Sequence, residues 1–107
     1  MSKLVKLVVT VPELDADNLR KAIGDADGGK IGNYSHCSFS VKGIGRFLPE
    51  NGANPAIGEV GKPEEVLEER IEVTCEADKL KNVIDAIRKA HPYEEPAIDI
   101  YPMLLED

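Results

Sequence analysis

His91-Pro92-Tyr93-Glu94-Glu95-Pro96-Ala97-Ile98-Asp99-Ile100-Tyr101-Pro102 is the stretch that decides how this chain is organised. On its N-terminal side the sequence has a helical period, and on its C-terminal side it alternates. Pro92 and Pro96 fix φ on either side of Tyr93-Glu94-Glu95, and each pushes the residue before it toward extended geometry. The connector is therefore stiff, and it gathers one imidazole, one phenol and two carboxylates in a small volume. Such a connector needs no chemistry of its own, because polar residues also simply solvate a proline-bounded turn.

Upstream, Leu80, Val83, Ile84, Ile87 and Ala90 fall on one helical stripe. Glu76-Ala77-Asp78 places negative charge at its start, and Arg88 and Lys89 place positive charge in its last turn. Val66 to Cys75 alternates, with Ile71, Val73 and Cys75 toward a core and Arg70, Glu72 and Thr74 opposite. Downstream, Ala97 to Tyr101 reads as a strand with Ile98 and Ile100 inward and Asp99 and Tyr101 outward. This half of the chain is β-α-β.

The N-terminal half repeats that order. Lys3 to Val11 reads as a strand with Val5, Leu7, Val9 and Val11 on one face and Leu4, Lys6, Val8 and Thr10 on the other. Apolar residues on both faces predict a central position. Asp15 to Asp27 reads as a helix with Asp15 as N-cap, a Leu19, Ala22, Ile23 and Ala26 stripe, and Gly28-Gly29 as its stop. Asn33 to Val41 alternates, with Ser35, Cys37, Phe39 and Val41 on the core face and Tyr34, His36, Ser38 and Ser40 on the other. Cys37 reads as a small core residue. Lys42 to Lys62 is irregular and rich in glycine and proline, with room for the preceding strand to run on to Phe47. Loops this long are uncommon unless they bind something or pack on a neighbour.

The whole reads as a single α+β domain over residues 1–107. The order β-α-β, long loop, β-α-β predicts a ferredoxin-like fold: an antiparallel four-stranded sheet with both helices on one face and the long loop between strands two and three. The uncovered face then displays Lys6, Val8, Thr10, Tyr34, His36, Ser38, Arg70, Glu72, Thr74, Asp99 and Tyr101. Lys6, Tyr34, Arg70, Glu72, Asp99 and Tyr101 are the candidate contacts of a subunit interface, with Lys6 or Arg70 paired to Glu72. Plain solvation of a half-polar antiparallel sheet is the alternative.

A net charge of −7 over 107 residues argues against nucleic acid and against an anionic membrane surface. No apolar run approaches a membrane span, and Met1-Ser2-Lys3 does not lead into a signal-peptide core. Cys37 and Cys75 lack metal or redox spacing, so a reducing cytoplasmic setting is expected. Gly29-Lys30-Ile31-Gly32 follows a helix instead of opening one and is no phosphate loop.

His91-Pro92-Tyr93-Glu94 followed by Pro96 resembles the HPYE-x-P signature near the end of CutA-type proteins, and Val9-Thr10-Val11-Pro12 resembles their VTVP first-strand ending. Residues 32–49 (GNYSHCSFSVKGIGRFLP), 52–72 (GANPAIGEVGKPEEVLEERIE) and 91–103 (HPYEEPAIDIYPM) resemble more closely the PII/CutA-like domain inserted in YqfO proteins of the Nif-three family, and the free-standing YqfO-like domain. The resemblance implies a ferredoxin-like fold, trimerisation with sheets facing inward and a cytoplasmic setting. In full-length relatives the domain lies between two halves that carry a dinuclear metal centre; nothing in these residues corresponds to those halves, so their hydrolase chemistry does not carry over. The CutA likeness implies a link to divalent-cation tolerance. The PII likeness implies signalling through the loop around Asn51, although the basic residues that bind nucleotide in PII proteins have no match here.

The expected function is a non-enzymatic, trimeric ligand-binding or regulatory module, with His36, His91, Tyr93, Glu94 and Glu95 as ligand contacts. No cofactor motif is evident. A divalent cation is the alternative ligand, held by His36, His91 and Glu94, since imidazoles suit Zn, Cu or Ni. A small hydrolase-like enzyme is the third reading, with His91 as general base and Glu94 or Glu95 as acid or orienting group, but without a nucleophile or oxyanion device.

Overall fold

A computed structural model of the chain describes residues 3–104. Strand β1 (Leu4–Pro12), helix α1 (Ala16–Asp25), strand β2 (Phe39–Phe47), strand β3 (Glu64–Glu76), helix α2 (Leu80–Ala90) and strand β4 (Ile98–Pro102) follow one another. All strand pairings are antiparallel, in the order β2-β3-β1-β4. This is the ferredoxin-like arrangement expected of the sequence.

The alternation of β1 explains its central place. Leu7, Val9 and Val11 are fully buried, and with Val5 they join Ile71, Val73 and Cys75 of β3 and Ile98 and Ile100 of β4. Leu19 and Ile23 of α1 and Val83 and Ile87 of α2 close the same cluster from one side of the sheet. Each such side chain contributes roughly 1.5–3 kcal/mol of transfer free energy. Burial pushes the Cys75 thiol up from its ordinary value. No helix of the described residues is long and apolar enough to cross a membrane.

Asp15 occupies the N-cap of α1 but makes no capping hydrogen bond. A single 3-10 turn, Glu13–Asp15, feeds the chain into the helix instead, and Ala77–Lys79 does the same for α2. At the end of α1 the left-handed residue is Asp27 (φ 75), one position before the glycines that the sequence marks as the stop. Gly28 N–H donates to Ile23 O (2.9 Å) and Asp27 N–H to Gly24 O (3.1 Å), the paired bonds of a Schellman ending.

The second strand departs from expectation. It begins at Phe39 instead of Asn33 and runs to Phe47, so Lys42–Phe47 is strand and the loop is 48–63; β3 starts at Glu64, two residues before Val66. Gly32 and Asn33 instead form a tight turn bridged by Ile31 and Tyr34, and His36 at φ 60 breaks the alternation. The faces are reversed as well. Phe39 and Val41 pair with Glu72 and Arg70 on the uncovered face, whereas Ser40 turns toward α1 and accepts a hydrogen bond from Arg20 (3.2 Å). The reason is local: β2 is an edge strand, and the helix-side surface beside it is an ionic cluster in which Arg20 pairs with Asp17 and Glu69. Those carboxylates raise the Arg20 guanidinium further above its ordinary value. Cys37, expected in the core, is half-buried outside the apolar cluster.

Lys6, Arg70, Glu72, Asp99 and Tyr101 do share the uncovered face, and Arg70 Nε donates to Glu72 Oε2 at 3.2 Å. Tyr34 and His36 do not belong to it: both precede β2, and Tyr34 is 75% exposed on its turn.

Candidate functional site

A groove of about 520 Å³ opens at the β2 end of the uncovered face. Its floor exists because β2 places Gly43 opposite Glu68 and Gly45 opposite Val66, leaving two positions on that face without side chains. Val41 and Phe47 flank this bare backbone, Pro49, Pro55 and Ile57 come from the loop, and Thr10, Tyr93, Glu94 and Glu95 complete the opposite wall. The loop is tied over the site where Asn54 N–H donates to Glu94 Oε1 at 3.0 Å. Phe47 and Tyr93 meet edge to face with ring centroids 5.6 Å apart.

His91 stands behind this wall and does not line the groove. It is 6% exposed and fixed by two backbone groups. Thr10 O, which only accepts, lies 2.7 Å from Nε2, so Nε2 carries the proton. Tyr93 N–H, which only donates, points at Nδ1 from 3.1 Å. Both ring nitrogens are thereby committed, and the imidazole stitches the connector to the end of β1. Its ring also packs 5.0 Å from that of Tyr93.

Tyr93 O–H in turn donates to Glu68 Oε2 at 2.7 Å. Burial, and then the carboxylate it faces, push the Tyr93 phenol above its ordinary value of 10.0. Glu68 is itself 6% exposed, and a Cβ on Gly45 would overlap its Oε1. Sequence reading missed Glu68. The available signal was its parity with Arg70 and Glu72, extended one step further along β3 toward Gly43 and Gly45.

His36 lies elsewhere, lining a separate cavity of about 350 Å³ with Asp25, Asp27, Lys30 and Ser35. Ser35 Oγ is 2.9 Å from its Nδ1 and Asp25 Oδ1 is 2.9 Å from its Nε2. The ring lies against Gly24, where any Cβ would overlap it. Lys21 and then His36 hold the Asp25 carboxyl below the usual range. The structure thus brings Tyr93, Glu94 and Glu95 to one groove, sets His91 behind them, and leaves His36 apart. Among the described residues no three His, Cys, Asp or Glu side chains gather closely enough to hold a metal ion.

A four-stranded sheet with this order, backed by two helices and with the His91–Pro96 connector leading into β4, is the fold seen in CutA proteins. The periplasmic divalent cation tolerance protein CutA from Archaeoglobus fulgidus superposes with a TM-score of 0.72, covering 96% of this chain and 86% of that one at 20% identity. That likeness is one of fold. Sequence likeness leads to the NIF3-related proteins, to which this chain is related through one segment of their length. The Bacillus cereus protein related to NIF3 superposes with a TM-score of 0.83 at 47% identity, over 95% of this chain and 26% of that one. Two curated relatives, each named a GTP cyclohydrolase 1 type 2 homolog, come from Mycobacterium tuberculosis (50% identical over 101 residues) and Bacillus subtilis (52% over 100). Each match covers 94% of this chain, which spans about a quarter (27%) of the length of those relatives. No protein-family model matches the sequence.

Proposed function

We propose that the chain is a non-enzymatic ligand-binding or regulatory module that works as a homotrimer in the cytoplasm, with the groove beside β2 as its ligand site. The observation that carries this reading is the groove itself: about 520 Å³, within the size range of small-molecule sites, apolar along β2 and the loop, with a buried carboxylate in its wall. Assembly is supported by the uncovered face, where Phe39, Val41 and Tyr101 stay exposed beside the Arg70–Glu72 pair, and by β2 and β4 as edge strands. Support for an enzyme built on His91 is weaker, since both its ring nitrogens already serve backbone groups. Support for a cation site from His36, His91 and Glu94 within one chain is weaker too, because His36 lines a separate surface cavity while His91 is buried behind the groove.

Gly43→Leu tests the site. A Cβ at Gly43 meets nothing within 4 Å, so a side chain there starts in open space on the groove face of β2. Stabilisation of the intact protein by any member of a metabolite panel should vanish in this variant. An unchanged response would place the ligand elsewhere. Light scattering should give the mass of three 11.7 kDa chains, and a monomer at tens of micromolar would remove the assembly from the reading.

A further inference from the structure

We propose that the ligand of this groove is an organic cation, a primary ammonium or a guanidinium on an apolar body, with Glu68 as its counter-ion. The inference rests on the reading of the groove as a ligand site and adds the class of ligand.

Charge decides it. The groove's basic residues are already engaged: Lys42 lies 3.8 Å from Glu13, Arg46 Nε 3.4 Å from Glu65 and Arg70 Nε 3.2 Å from Glu72, and none of these three carboxylates lines the groove. Glu68, by contrast, is in no ion pair among the described residues, although it is 94% buried by its 6% exposure. Tyr93 serves its Oε2, while its Oε1 has no donor among the described residues and opens onto the groove over Gly45. A carboxylate with no charged partner, in a residue this little exposed, is best matched by a charged donor, which makes the strongest such bond. The Phe47–Tyr93 aromatic pair stands beside it, and an aromatic face attracts a cation further. An anionic ligand would have to compete with Glu13, Glu65 and Glu72 for Lys42, Arg46 and Arg70, and would meet Glu68, Glu94 and Glu95 as well.

Titration of the 15N-labelled protein with benzamidine, 2-phenylethylamine, neutral 2-phenylethanol and anionic phenylacetate tests the inference. The two cations should shift the amide signals of Gly43, Gly45, Phe47 and Tyr93 and bind at least about tenfold more tightly than the alcohol, the scale of one charged hydrogen bond. Glu68→Gln should remove that preference. Tyr93→Phe retains the carboxylate and removes the competing phenol, so it should bind the cations at least as tightly, and it decides the matter if Glu68→Gln fails to fold. Binding of the alcohol or phenylacetate as tight as that of the amines overturns the cation inference and leaves the groove as a ligand site. Silence from all probes overturns both. Shifts that emerge only after dilution to monomer mean that a side chain of a second copy fills the groove, which also overturns the proposal.

Discussion

The connectors that lead from helix to strand, residues 26–38 and 91–97, hold equivalent places in the two halves of the fold, and each carries one histidine. They are built in opposite ways. The first turns on Asp27, Gly29 and Gly32, all at positive φ, and leaves His36 at the surface between two side chains. The second has Pro92 and Pro96 in place of glycines and sets His91 in the interior between two backbone groups. Glycine lets the chain fold back on itself, so its side-chain contacts are local, and Gly29 N–H alone reaches across to Thr74 O of β3. Proline removes that freedom, and the stiff segment is held by long-range contacts to β1 and β3. The same histidine chemistry therefore serves structure in one connector and remains available to solvent in the other.

The largest expected effect lies in the glycine connector. Gly29 sits at φ 84, donates to Thr74 O and accepts from Cys37 N–H, each at 2.9 Å, and a Cβ there would overlap Cys37 O. Gly29→Ala combines about 1–2 kcal/mol of left-handed backbone cost with a further ~1–3 kcal/mol of overpacking against backbone that cannot move aside. Urea unfolding should show a loss of about 3 kcal/mol, and a loss below ~1 kcal/mol would mean that this connector yields easily.

His91→Ala comes next. It removes the donor to Thr10 O and the acceptor for Tyr93 N–H and opens a buried space, for a cost of about 2 kcal/mol. His36→Ala should cost no more than ~0.5 kcal/mol, as exposed polar truncations do. Equal losses in the two variants would erase the contrast between the connectors.

The sequence made most of this fold legible and left the site largely hidden. Strong alternation in β1, β3 and β4 and the two apolar helical stripes fixed the order of elements and the parity of Arg70, Glu72, Asp99 and Tyr101. Periodicity failed at β2, because an edge strand beside an ionic cluster has no apolar cover to select which face turns inward. Gly43 and Gly45 looked like loop residues for the same reason that they make a groove: they present no side chain. The proline connector is chemically dense in the sequence, yet its key partner, Glu68, lies 25 positions from Tyr93, and only the return of the chain through α2 brings the two together.

Tyr93→Phe sharpens the view of the proline connector at about 1 kcal/mol, the net worth of one hydrogen bond. It also predicts a pH signature. The phenol's value is raised in the folded chain, so the folded state holds that proton more tightly than the unfolded state does. The contribution is complete below the ordinary value of 10.0 and is lost as pH climbs from there through the folded value. Wild-type stability should therefore fall above pH 10 more steeply than that of Tyr93→Phe. Parallel curves would mean that the Tyr93–Glu68 contact does not persist in solution.

The smallest effect is the most specific, because its sign changes with context. Gly24 lies in helix α1, where alanine is favoured over glycine by about 1 kcal/mol on propensity alone. In the native chain that gain is opposed, since the new Cβ would overlap the His36 ring and push it off Asp25. Gly24→Ala should thus be neutral or slightly destabilising in the wild-type background and stabilising by up to ~1 kcal/mol when His36 is alanine. His36→Ala should also make the acid limb shallower: Asp25 is held low, so its contribution exists above 3.8 and fades as pH falls, and His36 is the second of its two partners after Lys21. Equal effects of Gly24→Ala in both backgrounds would show that the His36 ring does not rest on α1, and the glycine connector would then have no fixed histidine to set against His91.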